Sequence, residues 1–202
     1  MRLLSATKLA ALAAGAALAL AGCGDDGGSS SNSGVAGNGV DRAFVADMIP
    51  HHEGAIDMAE LAQERGESTF VKQLADDIIS SQREEIATMR REDEALEKAG
   101  IERGSLDMPE HMKGMDHDAS ELKDAKNFDR AFIEMMIPHH QGAVEMVKVE
   151  LASGEDPELR ELAQNISDAQ QREIGAMRKH LGDSGSSGDS MKGGDHGSGH
   201  PD

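Results

Sequence analysis

The chain contains one segment twice. The block DRAFVADMIPHHEGAIDMA from Asp41 returns as DRAFIEMMIPHHQGAVEMV from Asp129, and a shift of 88 residues carries His51 onto His139. The same shift aligns the rest of both halves without a gap. Leu74-Ala75 meets Leu162-Ala163, Ile78 meets Ile166, and Gln82-x-x-Glu85-Ile86-x-x-Met89-Arg90 meets Gln170-x-x-Glu173-Ile174-x-x-Met177-Arg178. Roughly two residues in five are identical between Asp41–Arg91 and Asp129–Lys179. A repeat of this length is a duplicated structural unit, so what one half forms the other must also form.

Each unit reads as two helices. Phe44, Met48, Ala55, Met58, Ala59 and Ala62 recur at helical spacing in the first segment. Val71, Leu74, Ile78, Ile86 and Met89 do so in the second, matched by Leu159, Leu162, Ile166, Ile174 and Met177. Asp41 and Asp129 are candidate N-caps, and Gly66 and Gly154 fall where the first helix of each unit should stop. Ser68 and Asp156 then cap the next helix, with Pro157 at a first helical position. No segment reads as a strand. The four phenylalanines Phe44, Phe70, Phe128 and Phe132 are the only aromatic residues besides histidine, which suits a Leu/Ile/Val/Ala/Met core between helices. The expected fold is all-α, a four-helix bundle from two duplicated helical hairpins.

The most informative part of the repeat is Met-Ile-Pro-His-His. Pro50 and Pro138 lie inside the first helix of each hairpin, where a proline kinks the helix or forces it to restart. Met48 precedes His51 by three residues and His52 by four, and Met58 follows seven after His51. Met136, His139, His140 and Met146 repeat the arrangement, and Met89 and Met177 stand on the partner helices. Thioether sulfur selects Cu(I) or Ag(I), and imidazole accepts copper or zinc. Methionine on an apolar stripe is also ordinary core filler. Neighbouring histidines diverge by about 100° on a helix, so each pair is expected to supply one ligand while the other caps, hydrogen-bonds or faces solvent.

Comparing the copies narrows the metal. Asp47 becomes Met135 and Glu53 becomes Gln141, so neither acid is needed twice. Glu85 and Glu173 recur, which keeps open a carboxylate-bridged di-iron site, but such a site wants Glu-x-x-His and here Thr88 and Ala176 follow. The two glutamates fit better as carboxylates that orient an imidazole. Copper, as Cu(I) first and Ag(I) or Cu(II) after it, is the expected cargo.

Residues 1–22 read as a lipoprotein signal peptide: Arg2 and Lys8, an Ala/Leu run, then Leu20-Ala21-Gly22-Cys23, which resembles a lipobox. Cys23 is the expected lipidation site, placing the protein outside the bacterial cytoplasm on the outer face of its membrane. As Cys23 is the only cysteine, disulfides and thiolate metal sites are excluded from the rest of the chain. Loss of Arg2 and Lys8 leaves 18 of the 20 Lys+Arg against 38 Asp+Glu, about −20, which excludes a nucleic-acid footprint. Residues 23–39 form a flexible linker, 40–182 the domain with halves of about 41–100 and 128–181, and 183–202 a disordered tail carrying Met191, His196 and His200. Within the connector 105–126, Met108, His111, Met112, Met115 and His117 have no evident core to fill and read as a flexible metal-capture segment.

The blocks Met48–Met58 and Met136–Met146 both match Met-x-Pro-His-His-x-Gly-Ala-x-x-Met, and the chain from Asp41 to Leu181 resembles the domain-of-unknown-function 305 family on that ground. The resemblance implies a ferritin-like four-helix bundle, secreted or periplasmic, with copper bound through Met and His in some members. The expected function is extracytoplasmic copper sequestration or transfer, with a copper-transfer protein as partner and no catalytic residues. A ferritin-like di-metal oxidase using His52, His140, Glu85 and Glu173 is the enzymatic alternative. A metal-free helical surface lipoprotein is the other.

Overall fold

The computed structural model describes residues 36–115 and 119–187, with side chains described as far as Gly182. The signal segment, Cys23, most of the linker, His117, Met191, His196 and His200 lie outside the described residues. Four helices make the domain: α1 (Gly39–Arg65), α2 (Thr69–Lys98), α3 (Phe128–Ser153) and α4 (Pro157–Ser187). Among the described residues there is no strand, and no helix is long and apolar enough to cross a membrane. The expected all-α architecture of two hairpins is what the chain adopts. α1 packs on α2 and α3 on α4, while α1 against α3 and α2 against α4 close the bundle. Helix α4 continues to Ser187, five residues into the stretch whose composition reads as tail.

Local signals explain most boundaries. Gly66 and Gly154 are C-caps, and Ser68 accepts from the Val71 amide at the start of α2. The Asp156 carboxylate accepts from the Glu158 and Leu159 amides, with Pro157 as first residue of α4. Gly66 sits there for want of space: its φ is −56°, and an added Cβ would stand 2.5 Å from the Ala62 carbonyl oxygen. Pro50 and Pro138 lie inside continuous helices, so neither helix restarts.

Two expectations are corrected. The N-caps of α1 and α3 are Asn38 and Asn127, one turn or less before the aspartates. Asp41 closes the α1 capping box by accepting from the Asn38 amide, and both aspartates also take a longer-range role, each capping the opposite hairpin. The Asp41 carboxylate accepts from the Glu155 and Asp156 amides before α4, at 3.0 and 2.9 Å. The Asp129 carboxylate accepts from the Glu67 and Ser68 amides before α2, both at 2.8 Å. Burial works against the Asp129 charge, but the bonds from Ser68 and Glu67 outweigh it and hold its carboxyl below the usual aspartate value.

The second correction concerns the connector, whose methionines were expected to lack a core. Leu106 and Leu122 are buried, and Met108 is half-buried against the same core. The connector follows α1 from one end to the other, as a crossover between parallel α2 and α3 requires. The Gly104 amide donates to the Gly39 carbonyl, and the Arg42 guanidinium holds the Ile101 carbonyl at 2.8 Å. At the far end Arg65 donates to the Leu122 and Ala125 carbonyls. Sequence alone showed a polar stretch, because the apolar anchors Leu106 and Leu122 are single residues without periodicity.

Candidate metal centre

All four histidines of the repeated motif are buried: His51, His52 and His140 are 0% exposed and His139 2%. Of the roles left open for the second histidine of each pair, facing solvent is ruled out, and hydrogen bonding is what His52 and His140 do. The physical reason is that α1 has two covered faces, one toward α3 and one toward α2. Side chains about 100° apart on one helix can therefore both be inside. His51 points toward α3, where its ring lies 3.7 Å from that of His139, centroid to centroid. His52 points toward α2 and meets Glu85; in the other half His140 meets Glu173 on α4.

The hydrogen bonds assign the ring nitrogens. His52 Nε2 lies 2.7 Å from Glu85 Oε2, and His140 Nε2 lies 2.6 Å from Glu173 Oε2. A carboxylate accepts, so each Nε2 carries the proton and Nδ1 holds the ring's lone pair. His51 Nε2 likewise donates to the His139 carbonyl oxygen at 3.0 Å. The Nδ1 atoms of His51, His52 and His140 are buried without a hydrogen-bond partner. Burial, reinforced by His139, His52 and His140, pushes His51 well below the ordinary imidazole range, so it is neutral.

The repeated methionines belong to the same buried core. Met48, Met58, Met89, Met136, Met146 and Met177 are each 0% exposed. Gln82 and Gln170, which repeat on α2 and α4, are buried as well. Among the described residues no three His, Asp or Glu side chains are grouped to hold one ion. A nitrogen–oxygen site of the di-iron kind is therefore not preformed among them; the same core buries thioether sulfurs and the unpartnered amide oxygens of Gln82 and Gln170. Buried lone-pair nitrogens and thioethers within one core fit a soft monovalent cation better than a hard one.

The connector residues are placed differently. His111 and Met112 are exposed on a short 3-10 turn (Glu110–Met112), Met112 being 42% exposed, and Met115 is half-buried. His111 and Met112, with Gly114, Pro138, Gln141, Gly142 and Glu145, line a surface cavity of about 290 Å³.

The sequence profile of a domain of unknown function, DUF305, matches residues 41–181. The chain belongs to the DUF305 family. Solved structures agree. CopM in its Cu(I)-bound form is 36% identical, with 71% of this chain and 96% of that one covered and a TM-score of 0.59. CopM co-crystallised with silver is 35% identical over 71% and 96%, with a TM-score of 0.60. A DUF305 protein from Streptomyces coelicolor described as secreted is 27% identical over 72% and 94%, with a TM-score of 0.62. No functionally curated protein matches the chain. As a DUF305 member this chain carries the repeated motif complete, and the bundle brings both copies together at the α1–α3 interface.

One residue was set aside by the repeat and matters in the structure. Asp47 is absent from the second copy, yet it pairs with Lys113 of the connector at 2.9 Å. Burial opposes the Lys113 charge, but Glu110 and Asp47 outweigh it and raise the group above the ordinary lysine value. Comparison of copies finds what both halves need and is blind to what only one half does. The signal available was the departure itself: an acid one turn before His51 with no counterpart.

Proposed function

We propose that this protein binds copper outside the cytoplasm, holding it as Cu(I) between the buried histidines and methionines of the two repeats. The observation that carries this reading is the set of buried, unpartnered Nδ1 atoms on His51, His52 and His140, in a bundle whose core also buries six thioethers. A buried polar atom without a partner costs about 1–3 kcal/mol, and a metal ion removes that cost. Glu85 and Glu173 serve by fixing the His52 and His140 rings through Nε2, which makes Nδ1 the ligating atom. His139, whose ring centroid lies 3.7 Å from that of His51, supplies the fourth imidazole, and Met48, Met58, Met89 with Met136, Met146, Met177 supply sulfur.

The copper- and silver-bound forms of CopM support the metal, and the secreted relative supports the compartment. Export and anchoring at Cys23, sequestration or delivery to a partner protein, and first capture by Met108, His111, Met112, Met115 and His117 complete the reading. Titration with Cu(I) against a competing chelator tests it, comparing the chain without residues 1–23 to two variants. His51/His52/His139/His140→Ala removes the nitrogens; Met48/Met58/Met136/Met146→Leu keeps the volume and removes sulfur. Both should lose the tight Cu(I) sites while circular dichroism stays helical. Unchanged stoichiometry in both would remove the core from the account.

A further inference from the structure

The connector spans from α1 to α3 beside the histidine motifs, with Lys113 on Asp47 and Gly114 against the Pro138 and His139 carbonyls. Lys113 is 7% exposed although it is a lysine in a surface connection. Its ammonium bridges Asp47 of α1 at 2.9 Å and Glu110 at 2.8 Å. Asp47 stands one turn before His51. On the other side of the groove Gly114, in the left-handed region at φ +73°, lies against α3: a Cβ there would stand 2.9 Å from the Pro138 and His139 carbonyl oxygens.

Gly142 shows how close this seat is. A Cβ on Gly142 would stand 2.2 Å from the Lys113 carbonyl oxygen and 2.5 Å from the Gly114 amide nitrogen. Its counterpart Gly54 faces no connector; a Cβ there meets His139 Nε2 at 3.6 Å, an ordinary contact. The two halves are thus alike in their histidines and unlike in their cover. The connector backbone packs against the Pro138 and His139 carbonyls of α3.

We propose that the segment Leu106–Met115 is a strap that governs exchange of a soft monovalent cation with the histidine core, latched by Lys113 on Asp47 and seated on Gly142. This rests on the copper-binding reading above and adds a kinetic element to it: the strap sets how fast metal passes, and the core sets how much is held. Lys113→Met keeps the aliphatic stem and removes the charge. Asp47→Asn removes the other half of the latch. Gly142→Ala unseats the strap sterically, with Gly54→Ala as its matched control for folding.

Two measurements separate the latch from the metal. Amide hydrogen exchange on the metal-free protein should show residues 106–115 deprotected in Lys113→Met and Gly142→Ala, with the four helices unchanged and Gly54→Ala like the parent. Stopped-flow transfer of Cu(I) from the loaded protein to a chelator should then be roughly tenfold faster in the first two and in Asp47→Asn, at unchanged stoichiometry, the scale set by losing one charged hydrogen bond. Deprotection without faster transfer overturns the gate. Unchanged protection in both variants overturns the latch. A parent protein that takes up neither Cu(I) nor Ag(I) overturns the copper reading and the gate with it, while the metal-free exchange still reports on the latch.

Discussion

At the scale of single residues, the structure separates positions that the repeat made look alike. Gly54 and Gly142 occupy the same place in the motif, yet only Gly142 faces a backbone, at 2.2 Å from its missing Cβ. Gly54→Ala should be neutral or stabilising by up to about 1 kcal/mol, as for any helical glycine, and Gly142→Ala should lower the urea midpoint. Equal midpoints for the two would contradict the close approach. Glu150 is the other asymmetric residue: it replaces Ala62 of the first half and is fully buried beside the Asp41 carboxylate. Burial, and then the neighbouring Asp41 carboxylate, push it up to about 8, with Arg160 opposing. The raised value means that the folded chain holds this proton more tightly than the unfolded one. Its stabilising effect is complete below the ordinary glutamate value near 4.5 and is lost as pH rises through about 8. Within that window this group lowers stability by about 1.4 kcal/mol per pH unit. Glu150→Gln should remove that decline, leaving the variant the more stable at pH 9; denaturation at pH 6 and 9 checks it, and an unaltered pH slope would contradict it.

The elements are held together by polar contacts that sequence periodicity does not display. Helix number, hairpin order, the glycine stops and the caps at Ser68 and Asp156 were legible, because each depends on residues within a few positions. The burial of both histidines of each pair was not, since it follows from α1 and α3 each being covered on two adjacent faces. Nor was the exchange of caps between hairpins, where Asp41 serves α4 and Asp129 serves α2. That exchange explains why both aspartates recur although neither is an N-cap. Asp129→Ala leaves the Glu67 and Ser68 amides without their acceptor and should cost about 1–2 kcal/mol, read as a lower urea midpoint. Because the Asp129 carboxyl is held below its usual value, this stability is present above the ordinary aspartate pKa and fades as pH falls through the folded one. Parent and variant should therefore converge in acid, and a gap that persists there would contradict the capping role. The connector was legible in its metal-binding composition and not in its packing, because Lys113 meets Asp47 across a distance in sequence that no spacing rule covers.

For the molecule as a whole, duplication places a core rich in nitrogen and sulfur where a bundle would ordinarily be aliphatic. The two halves meet at His51 and His139, so the centre belongs to the pair of hairpins and not to either one. The acidic surface, 38 Asp+Glu against 20 Lys+Arg, draws cations toward it and keeps nucleic acid away. On the copper-binding reading, carboxylates on the outside attract any cation while thioethers inside favour soft ones, which would make selectivity a property of the interior. The most direct test is the X-ray absorption spectrum of the Cu(I)-loaded chain lacking residues 1–23, in the parent and in Met48/Met58/Met136/Met146→Leu. The account predicts mixed nitrogen and sulfur neighbours at copper in the parent and loss of the sulfur contribution in the variant. Copper surrounded by nitrogen and oxygen alone in the parent, or a spectrum unchanged by the four substitutions, would contradict it.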